Sequence, residues 1–120
     1  QGGPGCSGML ALFQEIGPFF LLPNETLAAN PFAWNSVANV LYLDQPVGTG
    51  YSFVNDTKEL AQDLDTVAND LGEALRDFHA TFPWTAKQKL FLTGESYAGK
   101  YIPSFATWIM NNAPEVLLAG

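Results

Sequence analysis

Residues 90–101 read LFLTGESYAGKY, and their spacing fits two chemistries that exclude each other. Read as G-x-x-x-x-G-K, Gly94 to Lys100 supplies most of a phosphate loop, whose backbone N–H groups would wrap a nucleotide's phosphates. Read as strand, sharp turn and helix, Gly94-Glu95-Ser96-Tyr97-Ala98 is a nucleophile elbow that lifts Ser96 Oγ above a sheet. The side chains favour the elbow. A phosphate loop needs Ser or Thr after its lysine to hold a metal ion, and Tyr101 stands there. Glu95 would also point a carboxylate into the phosphate cradle. An elbow needs small residues two before and two after the nucleophile, because a larger Cβ would collide across the turn, and Gly94 and Ala98 supply them.

An acyl-transfer site also needs donors for the oxyanion. Gln1-Gly2-Gly3-Pro4-Gly5 resembles the glycine-rich segment that brings a backbone N–H to the substrate carbonyl in lipases and esterases, although alone it could be an ordinary tight turn. The second donor would be the N–H of Tyr97, directly after the nucleophile. In this arrangement the acid and the base follow the serine in the order Asp, His, which places both beyond Gly120. His79, the single histidine, precedes Ser96 on the polar flank of a helix and reads as a surface or capping residue. Cys6 has no histidine near it in the motif that could activate it as a nucleophile.

These residues need elements to hold them. Gly8 to Ile16 is expected to form a short helix, and Phe19 to Leu22 a short strand ended by Pro23 and Asn24. Val37 to Leu43 (VANVLYL) reads as a buried strand, followed by the turn-rich Asp44-Gln45-Pro46-Val47-Gly48-Thr49-Gly50. Leu60, Leu64, Val67, Leu71, Leu75, Phe78 and Phe82 recur at helical spacing up to Pro83. Lys89 to Thr93 reads as a further strand and Tyr97 to Asn111 as a helix broken at Pro103. Alternating strands and helices predict an α/β fold, a parallel sheet with helices on its faces and Ser96 at the carboxyl end of a strand. Tyr51 and Phe53 could line a substrate pocket or belong to the core; Trp34, Trp84 and Trp108 read as packing residues.

Among the 120 residues 12 are acidic and 5 basic, a net charge of −7 that leaves little to neutralise phosphates and argues against a nucleic-acid partner. With 48% hydrophobic residues the chain is globular, and its longest apolar runs are far too short for a membrane span. One cysteine excludes an internal disulfide and a cysteine-based metal cluster, and nothing calls for a metal or another cofactor. Asn24-Glu25-Thr26 and Asn55-Asp56-Thr57 are glycosylation sequons in polar stretches, which lean toward the secretory pathway. Because Gln1 already stands inside the glycine loop with no strand before it, the chain is expected to be a segment of a longer protein.

Taken together, QGGPGCSG, DQPVGTGYSF and TGESYAGKYIP, in this order and spacing, resemble the serine carboxypeptidase family of α/β-hydrolases over essentially the whole chain. Gln1 and Gly8 stand where members most often carry Asn and Ser, and the Gln resembles the vitellogenic-like carboxypeptidase branch. The resemblance implies that residues 1–120 are the central part of one α/β-hydrolase domain, from oxyanion loop through nucleophile elbow to the following helix. It implies Ser96 as nucleophile and the N–H groups of Gly3 and Tyr97 as oxyanion hole. Gln1, Glu15 and Glu95 would bind the substrate's terminal carboxylate, with Gly2 beside them, and Cys6 would pair with a cysteine outside the chain. Three ionised carboxylates cannot share a partly dry cleft, so the two glutamates are expected to hold one proton between them. Asp44 falls in a structural turn near the site. The implied activity is removal of C-terminal residues from peptides or proteins in a lysosome, vacuole or outside the cell, without a cofactor. The resemblance allows a homodimer of the full-length protein, and it leaves an acyltransferase, an esterase or a non-catalytic homologue as alternatives.

Overall fold

Asp63 decides where the long amphipathic helix begins. In the computed structural model, which describes Gln1–Gly120, its carboxylate accepts the Thr66 N–H at 2.7 Å and caps helix α1, Leu64–Thr81. Leu60 therefore lies before the helix, after a single 3₁₀ turn at Thr57–Glu59, although its spacing had matched the apolar face. Phe82 closes the helix just ahead of Pro83.

Helix α2 runs from Ala98 to Asn112 without a break, contrary to the expectation at Pro103. Proline at this point removes the bond to the Gly99 carbonyl, but Gly99 is exposed with open space beside it, so that carbonyl can turn to solvent. The buried face of α1 (Val67, Ala68, Gly72, Leu75) packs on that of α2 (Ala98, Tyr101, Phe105, Ile109). Val67, Ala98 and Tyr101 form a cluster near the elbow. Leu75, Phe105 and Ile109 form another, against Leu90, Leu92, Val116 and Leu118.

Those last residues carry the parallel pairing. Leu90 bridges Leu118 in parallel, with Leu90 N–H to Leu117 O at 2.9 Å, Ala119 N–H to Leu90 O at 2.8 Å and Leu92 N–H to Gly120 O at 2.8 Å. The expected Lys89–Thr93 strand is thus reduced to one parallel bridge at Leu90, joined to the chain end across α2. The pairing of the chain end was not expected from the sequence.

Elsewhere the expected sheet is not formed. β1, Phe19–Leu21, pairs antiparallel with β2, Leu27–Ala29, a partner the sequence reading lacked. The turn between them passes through Glu25 at φ 62°. Residues 39–43 of the expected buried strand adopt no regular structure, because no other segment of these residues offers its backbone groups to them. Val37 instead ends a 3₁₀ turn at Trp34–Ser36. The short helix near the amino end is a π-helix, Ala11–Glu15, closed by the Ile16 N–H on Ala11 O at 2.9 Å.

Candidate active site

Leu90–Thr93 delivers the chain to a turn that puts Ser96 in a left-handed conformation, φ 57°. A non-glycine residue held there is strained, and α2 follows at once, with Ala98 N–H on Glu95 O at 3.0 Å and Gly99 N–H on Ser96 O at 3.0 Å. A Cβ on Gly94 would run into that of Ala98, which is why both positions are small. Ser96 is exposed. A segment paired in parallel at Leu90, a strained serine and a helix start together have the geometry of an elbow.

The glycine loop comes to this turn. A Cβ on Gly2 would lie 2.6 Å from Ser96 Cβ, 2.8 Å from its Oγ and 2.9 Å from the Tyr97 nitrogen, so only glycine lets the backbone in. Gly3 follows at φ 113°. The Cys6 N–H donates to Gly2 O at 3.0 Å and the Tyr101 hydroxyl to Pro4 O at 2.7 Å. Asp44 takes the far end: Oδ1 accepts the Ser7 hydroxyl at 2.6 Å and the Gly8 N–H at 2.7 Å, while Oδ2 accepts the Tyr51 N–H at 2.8 Å. Burial pushes the Asp44 carboxyl up, but the bonds from Ser7, Tyr51, Gly8 and Met9 outweigh it and hold it below its ordinary value.

Gln1 Nε2 donates to Glu15 Oε2 at 2.7 Å, so these two expected carboxylate-binding residues stand together. Glu95, next to Ser96 in the chain, makes no side-chain hydrogen bond with either. Asn30 holds Glu15 from behind. Itself buried, it donates to Glu15 O at 3.2 Å and Gly17 O at 2.9 Å and accepts the Phe32 N–H at 3.0 Å. The sequence had given Asn30 no role, and Tyr101 only that of breaking the phosphate-loop pattern. Asn30-Pro31 signals a turn, but the return of that turn under Glu15 depends on the unexpected β2.

His79 Nδ1 lies 2.8 Å from Thr85 Oγ1, and since that hydroxyl donates to Phe82 O, the imidazole must be the donor. It ties off the end of α1, as a capping histidine does. Cys6 is exposed and unpaired within the chain. Asn24 and Asn55 are exposed; Asn24 Oδ1 accepts the Thr26 hydroxyl at 2.7 Å. Tyr51 and Phe53 are 86% and 78% exposed in these residues. Trp108 packs over Gly72 and under Arg76, whereas Trp34 and Trp84 are 47% and 55% exposed. No helix is long and apolar enough to cross a membrane.

The sequence pattern described as serine carboxypeptidase, peptidase S10, matches residues 1–117. The chain is 51% identical to serine carboxypeptidase-like 49 of Arabidopsis thaliana over 88% of its length, and 48% identical to the lysosomal protective protein of Mus musculus over all of it. Probable serine carboxypeptidase CPVL of Mus musculus is 46% identical over 95% of the chain, no more than the plant protein, so identity does not select one branch. The chain spans 20% and 25% of the length of the first two. Among solved structures, the prohormone-processing carboxypeptidase Kex1(delta)p of Saccharomyces cerevisiae superposes with a TM-score of 0.85 at 38% identity, over 94% of this chain and 25% of that one. These residues accordingly take up part of a serine carboxypeptidase fold, which is an α/β-hydrolase fold.

Proposed function

The chain belongs to the serine carboxypeptidase family, and on that premise we propose that it is the central segment of one α/β-hydrolase domain that removes C-terminal residues from peptides through an acyl-enzyme on Ser96. The observation that carries this reading is the approach of Gly2 to Ser96 and to the Tyr97 nitrogen, which sets a glycine loop and a strained serine side by side.

In this mechanism Ser96 Oγ attacks the last peptide carbonyl. Its proton passes to a histidine, oriented by an aspartate, that the longer protein supplies. The carbonyl oxygen becomes an oxyanion between the N–H groups of Gly3 and Tyr97, and losing one such donor costs about 10²–10³ in turnover. The C–N bond breaks as the histidine returns the proton to the leaving amino acid, and water then hydrolyses the ester. Gln1 and Glu15 hold the substrate's terminal carboxylate with Glu95, so that the enzyme works from the end of the chain. The Gln1 to Glu15 hydrogen bond supports that grouping. Cys6 pairs with a cysteine of the longer protein. The relative named for the lysosome and the exposed sequon asparagines Asn24 and Asn55 support a place in the secretory pathway, in a lysosome or vacuole or outside the cell.

A fluorophosphonate probe tests the nucleophile in the full-length protein. Peptide mapping should find the adduct on Ser96 alone, and Ser96→Ala should abolish both labelling and hydrolysis. An adduct on another serine, or loss of activity on alkylating Cys6, would overturn the assignment.

A further inference from the structure

We infer that Tyr101 and Asp44 are positioning residues that clamp the oxyanion loop at two points after Gly3, Pro4 and Ser7-Gly8, and thereby aim the Gly3 N–H, an inference that rests on the acyl-transfer reading of Ser96. The loop needs such a clamp. The Gly3 N–H shares a peptide plane with the Gly2 carbonyl, and glycines on both sides let that plane turn over at little cost. A turned plane would present a carbonyl oxygen to the oxyanion in place of a donor.

Within the loop, the Cys6 N–H fixes the Gly2 carbonyl and so points the Gly3 N–H the opposite way. That bond spans only the loop, and it moves with the loop unless the ends are tied to something else. Tyr101 ties the near end. Its hydroxyl donates to the Pro4 carbonyl at 2.7 Å, one residue past Gly3, and the two residues are 97 apart in the chain. Tyr101 also lies one helical turn after Tyr97, whose ring meets its own edge-on with centroids 5.0 Å apart. The helix that carries one oxyanion donor therefore holds the loop that carries the other, which sets the spacing between them. A tyrosine that is 4% exposed in a helix interface would pack as well without its hydroxyl; the Pro4 carbonyl is what the hydroxyl serves.

Asp44 ties the far end. One oxygen takes the Ser7 hydroxyl and the Gly8 N–H, and the other takes the Tyr51 N–H from the following turn. The loop is therefore pinned to α2 at Pro4, directly after Gly3, and to the 44–52 turn at Ser7 and Gly8.

The test uses full-length protein carrying Tyr101→Phe or Asp44→Asn, with rates normalised to sites titrated by fluorophosphonate. The constants read are kcat and KM for a peptide, and Ki for a peptide aldehyde, whose adduct carries the oxyanion, and for the peptide product. Displacement of a catalytic group by about 1 Å can cost on the order of 10² in rate. The expected result for Tyr101→Phe is a fall in kcat of roughly tenfold or more with KM within about twofold, the signature of an interaction felt only in the transition state. Aldehyde affinity should fall in parallel while product affinity holds. Should the Tyr101→Phe protein not accumulate, the same split in Asp44→Asn decides. Wild-type kcat in both variants, or equal losses of aldehyde and product affinity, would overturn the clamp while leaving Ser96 as nucleophile. A wild-type protein that neither titrates nor binds the aldehyde would overturn the acyl-transfer reading, and the clamp with it.

Discussion

Gly2 lies against Ser96 so closely that a methyl group on its Cα would sit 2.8 Å from the serine oxygen and 2.6 Å from its Cβ. Gly2→Ala must therefore displace either the loop or the nucleophile. In the full-length protein it should lower kcat/KM by about 10²–10³, as loss of an oxyanion donor does, and slow fluorophosphonate labelling, with the circular dichroism spectrum unchanged. Labelling at the wild-type rate would mean that the loop does not approach the serine this way.

Asn30 should act on substrate binding and leave the chemistry alone. Its amide spans the Glu15 and Gly17 carbonyls, and Asn30→Ala leaves both without that partner. Unmet buried polar groups cost about 1–3 kcal/mol, and Glu15, bonded to Gln1, would lose its seat. The expected outcome is a several-fold rise in KM for peptides with a free C-terminus and an unchanged kcat. An unchanged KM would detach Glu15 from carboxylate recognition.

Asp44 predicts how the loop responds to acid. Its carboxyl is held below the ordinary 3.8, so the bonds contribute stability that is complete above that value and is lost as pH falls through the lower folded value. The loop should hold at the pH of an acidic compartment. Melting temperatures of wild type and Asp44→Asn, taken from about pH 7 down to about pH 3, should differ by a constant amount at first and converge only at the acid end. A gap that widened as pH fell would contradict this sign.

Gly72 sets two ordinary rules against each other. In the middle of α1, Gly→Ala should stabilise by about 1 kcal/mol through helix propensity. Here the added methyl would strike the Trp108 ring, which Arg76 covers at 4.9 Å. Overpacking of this kind costs about 1–3 kcal/mol, so Gly72→Ala should lower the melting temperature of the full-length protein; a rise would show that Trp108 moves aside freely.

The parts of this fold that local chemistry specifies were legible in the sequence. The periodic apolar face of α1, the small residues around Ser96 and the glycines facing it each state their own constraint. Other features depended on partners distant in sequence. Leu90 pairs with Leu118 across the whole of α2, and nothing in VLLAG marks it as a strand. Val37 to Leu43 reads as a buried strand from apolar content alone, yet a strand is made by neighbours, and no other segment here pairs with it as one. The same reason hid Tyr101 and Asn30: a tyrosine at helical spacing reads as core, and only the fold brings its hydroxyl to Pro4.

Serine-type removal of C-terminal residues is tested most directly by a mass-spectrometric time course on one peptide, presented as the free acid and as the C-terminal amide, with full-length wild type and Ser96→Ala. The account predicts that wild type shortens the free acid one residue at a time from its C-terminus, turns over the amide far more slowly, and that Ser96→Ala leaves both intact. Equal turnover of acid and amide would contradict carboxylate recognition by Gln1, Glu15 and Glu95, and shortening by Ser96→Ala would contradict the nucleophile itself.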